Sequence, residues 1–320
     1  MTKTAFLAAT SLASLLLALA PAQAAGLNRA WVSGHGADAA GCGAPANPCR
    51  TFQYVHDNII APGGEIDVLD PAGYGAVTIT KALSIVNDGV GTAGVQQSSS
   101  GQDAITISAS ASDAIHLRGL NSDGLGVARY GVSLNTAGSL EIVNCVTRHF
   151  TSAGISISPF SGSLYFSIID TIVSDNGEGI SVSSSQQNVA IVGSIKGVAA
   201  DHNNPGDAVD VAASGSSETA SVTVVDTEAS GNGGYGFLAE GGASGAVLLA
   251  LRGVTASGNR IGVASFSDGA DVQATLAHSL LVKNGYGTSA SGGVISSYGD
   301  NDINFNGTDV VGALTPLGQK

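Results

Sequence analysis

His149, Asp175 and His202 stand 26 and 27 residues apart, and Arg148 and Asp201 directly precede the two histidines. The spacing matters if the chain coils with a similar period. The three then lie on adjacent coils, roughly 4.8 Å apart, the distance between paired strands. A carboxylate between two imidazoles can orient one ring as a general base and leave the other to hold a cation. A guanidinium such as that of Arg148 can grip a uronate carboxylate or steady an enolate-like charge. Arg148, His149, Asp175, Asp201 and His202 are therefore the candidate catalytic residues, suited to a lyase or hydrolase of acidic polysaccharide. The competing reading, that all five are solvated turn residues, is the one the residue types alone favour.

The elements that would position them repeat. NCVTRHF (144–150), DTIVSDN (170–176), GVAADHN (197–203), DTEASGN (226–232), GVTASGN (253–259) and HSLLVKN (278–284) end 26, 27, 29, 27 and 25 positions apart. A period in that range marks a stacked repeat. Eight places before each end stand Ile142, Ile168, Ile195, Val224, Leu251 and Leu276, all aliphatic. A Gly-apolar-x-apolar strand follows the turn, as in Gly154-Ile155-Ser156-Ile157, Gly179-Ile180-Ser181-Val182 and Gly236-Phe237-Leu238-Ala239, while Ala208-Val209-Asp210-Val211 fits less cleanly. Alternation with period two means strands with one buried face. Strands this short bury that face only if each period makes one turn of a coil and like strands pair in parallel.

Asn176, Asn203, Asn232, Asn259 and Asn284 close the segments, and Phe150 breaks their column. Their reading is structural, as a ladder of buried amides bonded to one another and to the backbone. With the Gly-Ile-x-Val strand that follows, this pattern resembles the pectin-lyase-like superfamily over residues 75–300. The resemblance implies an all-β fold, a right-handed parallel β-helix (a single-stranded solenoid). It implies little about function, because that superfamily includes lyases, hydrolases, epimerases and adhesins. The Asp-Asp and Arg-Ile-Lys motifs of polygalacturonase-like hydrolases are absent, as are Arg-x-Pro-x-x-Arg of pectate lyases and Asp-Pro-His-Asp of alginate epimerases. Residues 31–85 also resemble the N-terminal segment of exported bacterial β-helix proteins of unassigned function. Trp31-Val32-Ser33-Gly34, Pro48-Cys49-Arg50-Thr51-Phe52, Gly63-Gly64-Glu65-Ile66 and Val77-Thr78-Ile79-Thr80-Lys81 carry that likeness. It brings no catalytic residue with it.

The ends are read separately. Residues 1–24 form a signal peptide, with Lys3, an apolar run over 5–20 and the Ala22-Gln23-Ala24 cleavage pattern. The product is then secreted or periplasmic, with no membrane span after cleavage. Cys42 and Cys49 bracket a Gly/Pro-rich loop and are expected to be disulfide-bonded after export, whereas Cys145 reads as a buried thiol. Within 51–60, Phe52, Val55 and Ile59 share a helical face that Thr51 can cap, giving a short lid for the open coil end. The domain boundaries follow as 25–74 for this loop and helical cap, 75–300 for the coils and 301–320 for a C-terminal cap and tail.

The formal net charge is −13. Nucleic acid is excluded as a partner, since phosphate binding needs clustered Lys and Arg. No cofactor is expected and no residue is assigned to a metal, although Ca²⁺ could bridge the chain to an acidic polysaccharide. The candidate carboxylate pair Asp170 and Asp226 would lie two coils and roughly 10 Å apart, long for glycoside chemistry. The leading function is a non-catalytic polysaccharide-binding or envelope component, followed by a lyase or hydrolase, then an adhesin-like surface protein.

Overall fold

The computed structural model describes residues 26–183, 186–215 and 217–318; the expected signal peptide lies outside them. Ile142, Ile168, Ile195, Val224, Leu251 and Leu276 stack in register along a twelve-stranded parallel sheet, the long face. None is more than 2% exposed. Each contributes about 1.5–3 kcal/mol by leaving water. A second, ten-stranded face turns Ile155, Ile180, Val209, Phe237 and Val263 to the same interior. The third face comprises runs of five and four strands. Ala199 pairs with Ile172 on one side and Glu228 on the other, so a single residue carries the third face across the gap. Each regular coil supplies one strand to each face, and crossovers between parallel strands of one sheet are right-handed. The fold is the right-handed parallel β-helix.

Two polar columns have a backbone cause. His149, Asp175, His202, Gly231, Gly258 and Lys283 all take positive φ, between 55° and 69°. Asn144, Asp170, Gly197, Asp226, Gly253 and His278 do the same, between 48° and 64°. Each coil therefore turns two corners through the left-handed region, which Gly enters freely and Asn, Asp and His enter more readily than other residues. The residue types of both columns follow from those corners.

Just after the first of these corners the amides form a continuous ladder. Asn176, Asn203, Asn232, Asn259 and Asn284 are each 0–3% exposed. Each donates Nδ2 to the Oδ1 of the next, at 3.0–3.1 Å, and Asn306 receives the last of these bonds. Phe150 occupies the same place one coil earlier, where its N–H donates to Asn176 Oδ1 at 3.0 Å.

The sheets reach further at both ends than the sequence boundaries. Leu27–Val32 and Ile60–Val68 already belong to the long face, inside the segment read as loop and cap. Asp302–Asn304, Thr308–Val311 and Leu314–Pro316 add one strand to each face, inside the segment read as a tail. These strands are short and carry little apolar alternation, so pairing to a neighbour defines them. The helix spans Phe52–Asn58, capped by Thr51 Oγ1 accepting from the Tyr54 N–H. Phe52, Val55 and His56 are its buried residues, and Ile59 closes it as the C-terminal cap.

Cys42 and Cys49 are disulfide-bonded across a sequence separation of 7. Closing so short a loop stabilises by about 2–3 kcal/mol. Cys42→Ser together with Cys49→Ser should lower stability by that amount, read as a shifted denaturant midpoint. Cys145 is buried, and burial pushes its thiol up to about 11, so it is chemically quiet.

Candidate functional site

His149, Asp175 and His202 line one shallow hollow of about 480 Å³ on the turn side of the coil, with Gly126, Thr151 and Asn204. All three are exposed. The five candidates do not converge on one point. Arg148 Nε lies 3.2 Å from Asp123 Oδ2, and His149 Nδ1 lies 3.0 Å from Asp123 Oδ1. Asp123, which the sequence reading passed over, is thus the residue that joins Arg148 to His149. Burial pushes its carboxyl up, but the Leu125 N–H, His149 and Arg148 together hold it below the ordinary value. Asp201 turns instead to the Ser230 N–H, which donates to its Oδ1 at 2.8 Å. Burial pushes the Asp201 carboxyl up despite that bond. What the hollow offers is a polar corner open to water, without the enclosure that strengthens charge stabilisation.

A more enclosed arrangement sits on the outward side of the ten-stranded face. Ser156, Ser181, Asp210, Leu238 and Ala264 form the outward column there, one per coil. Asp210 is therefore flanked by a hydroxyl on one side and by Leu238 on the other. Leu238, Ile261 and Ala264 make a small buried cluster outside the sheet, covered by Tyr235 and Phe266. The two rings meet edge to face with centroids 5.7 Å apart, and the Arg260 guanidinium lies over Tyr235 at 5.8 Å. On the other side of Asp210 come Glu178 and Asp207. One carboxylate oxygen from each of Glu178, Asp207 and Asp210 can be chosen so that all three lie within 4.8 Å of one another.

Burial dominates the electrostatics of this trio. It pushes Glu178 up to about 7, with the Asp207 charge adding to the effect. It raises Asp207 against the opposing Tyr235 N–H, which donates to Asp207 Oδ1 at 2.7 Å. It raises Asp210 as well, helped by Glu240, Glu178 and Asp207. Asp210 Oδ1 is sealed from solvent and has no hydrogen-bond partner. Glu240 acts on all three carboxyls and also lines a hollow of about 260 Å³ with Phe266, Gly241 and Ser267. Acid groups, an aromatic pair and a hollow thus run along one side of the coil.

An irregularity in the repeat builds the trio. Four positions separate Asn176 from Ile180, but six separate Asn203 from Val209, although Ile180 and Val209 pair in register. The longer turn sets Asp207 beside Glu178. On the next coil a Cβ at Gly234 would meet Asp207 Oδ1, so a side chain there would displace that carboxylate. The only sequence signals were an acid in the outward column at Asp210 and a stretched repeat before it.

No protein-family model matches the chain, and no curated protein matches it. Among solved structures it is similar to the pectate lyase Pel9A, with a TM-score of 0.61 and 17% identity over 84% of this chain and 74% of that one. It is also similar to an alginate lyase from Paenibacillus sp. str. FPU-7, with a TM-score of 0.62 and 14% identity over 78% of this chain and 91% of that one. The chain shares their parallel β-helix fold. At these identities the likeness defines the fold and leaves function to the site.

Proposed function

We propose that this is an exported protein that binds polysaccharide along the outward side of its ten-stranded face. The observation that carries the reading is the break in that side. Ser133, Ser156 and Ser181 give way there to a carboxyl trio, a covered apolar cluster and the Tyr235–Phe266 pair. Carboxyls accept hydrogen bonds from sugar hydroxyls, and aromatic faces cover the apolar side of a sugar ring. Two of the solved structures it resembles are a pectate lyase and an alginate lyase, which makes a polysaccharide ligand a natural first choice. The test is affinity electrophoresis of residues 25–320 in gels carrying pectate, alginate, glycosaminoglycans or bacterial exopolysaccharides. Tyr235→Ala should weaken retention about tenfold, the loss of one central aromatic anchor. His149→Ala should leave retention unchanged. Retention lost in the second variant and kept in the first would move the site to the turn-side hollow.

A second reading, a glycoside hydrolase, is favoured by the grouping of the acids. Such enzymes use neighbouring carboxyls, one of them kept protonated as general acid, and burial raises Glu178 with Asp207 and Asp210 beside it. In that case reducing ends are released from one of these glycans, and Glu178→Gln lowers the rate at least about 100-fold, as loss of a general acid does. Turnover that survives Glu178→Gln would refute this assignment.

A further inference from the structure

Three carboxyls cannot share a half-buried corner comfortably without a positive partner. Arg260 draws on Asp207, yet its guanidinium lies over the Tyr235 ring rather than between the acids. Asp210 Oδ1, sealed and without a donor, points to a missing ligand, because buried polar atoms are normally bonded. Glu178, Asp207 and Asp210 are also the grouping among the described residues whose side chains could ligate one ion together.

We propose that Glu178, Asp207 and Asp210 form a calcium site on the outward side of the ten-stranded face, with Asp210 Oδ1 as its innermost ligand. The donor set is all oxygen, which selects a hard cation over zinc or copper. Coordination habit then separates calcium from magnesium. Calcium accepts irregular shells of oxygen, whereas magnesium demands a near-ideal octahedron and sheds its water reluctantly. Three carboxylates drawn from different parts of two coils offer the irregular kind. Three protein carboxylates supply fewer than the six to eight oxygens calcium takes, so water or a ligand hydroxyl completes the shell from the groove side. Glu178 opens the strand of one coil, while Asp207 comes from the turn of the next coil and Asp210 from the strand that follows it. An ion there would tie the stretched turn before Asp207 to the coil beneath it.

The test uses residues 25–320 after chelator treatment and contains no glycan, so it succeeds or fails independently of the polysaccharide reading. Calcium titrated into the protein should bind at one site with Kd about 10⁻⁴ M, in the range of extracellular calcium modules. At about 100-fold excess over Kd, calcium should raise Tm by about 5 °C, and magnesium should do so at least tenfold less effectively. Asp210→Asn and Glu178→Gln should each remove the calcium shift, while Asp175→Asn, exposed and outside the cluster, should keep it. Terbium offers a second measurement that does not depend on a variant losing a ligand. The Tyr235 backbone is bonded to Asp207, so its ring should sensitise terbium emission that calcium displaces, and Tyr235→Phe should dim that emission. No calcium-dependent heat or Tm shift, or a shift retained by both Asp210→Asn and Glu178→Gln, would overturn the proposal.

Discussion

Asn232→Ala should cost the protein about 3–5 kcal/mol, the largest loss expected from any single side chain that leaves the apolar core intact. Asn232 Oδ1 accepts from the Asn203 N–H at 2.9 Å and from Asn203 Nδ2 at 3.1 Å. Its own Nδ2 donates to Ala200 O and to Asn259 Oδ1, both at 3.0 Å. The alanine variant strips a partner from a buried N–H, a buried carbonyl and two buried amides at once. A buried polar group left unpaired costs about 1–3 kcal/mol, and water has no route to a site 3% exposed. Position in the stack sets the scale. Asn306, at the end of the ladder, is half-buried and has Asp309 Oδ1 as an additional partner. Asn306→Ala should therefore cost no more than about 1 kcal/mol, since a terminal repeat has one neighbour and water on its other side. Denaturant midpoints of the two variants against the parent chain measure the contrast. Equal, small losses would mean that the amides are incidental to the stack and that the aliphatic columns hold it alone.

The regular parts of the molecule were legible for the reason they are regular. A column such as Ile142, Ile168 and Ile195 is written in the sequence because each coil imposes the same inward position on every period. The amides are legible in the same way, since a buried turn with a free N–H accepts few side chains. The columns of His149, Asp175 and His202 and of Asp170 and Asp226 were equally visible, but periodicity shows only that a position is constrained. Both constraints are backbone corners at positive φ, and Asp and His satisfy such a corner as readily as they satisfy catalysis. The acid trio was hidden for the opposite reason. It arises where the repeat is stretched between Asn203 and Val209, and a departure from period carries no column to read. Asp210 also stands on the outward phase of its strand, where an acid reads as solvated. Only the structure shows that Leu238 lies beside it, that Glu178 and Asp207 gather next to it, and that its Oδ1 is sealed from water.

That burial makes stability depend on pH in a direction opposite to most surface carboxylates. In chelator-treated protein, stability should fall as pH rises from about 5 to about 8. Glu178 is pushed up to about 7 from the ordinary 4.5 by burial first and by Asp207 second. Between those two values the folded chain holds a proton that the unfolded chain has released, so each step upward in pH favours unfolding. The loss begins as pH passes the unfolded value and is complete above about 7. A shift of this size corresponds to about 3 kcal/mol at full burial. Glu178 is only half-buried, and solvent screening reduces the expected loss to about 2 kcal/mol. Asp207 and Asp210 are shifted the same way and add to the slope. Glu178→Gln keeps the shape and removes the charge, so the variant should be more stable than the parent by about 2 kcal/mol near pH 8 and nearly equal to it near pH 5. Denaturant midpoints at both pH values measure the difference. Parallel curves for parent and variant would show that the Glu178 carboxyl is solvated in the folded protein, and the enclosure argued for the trio would then fail with it.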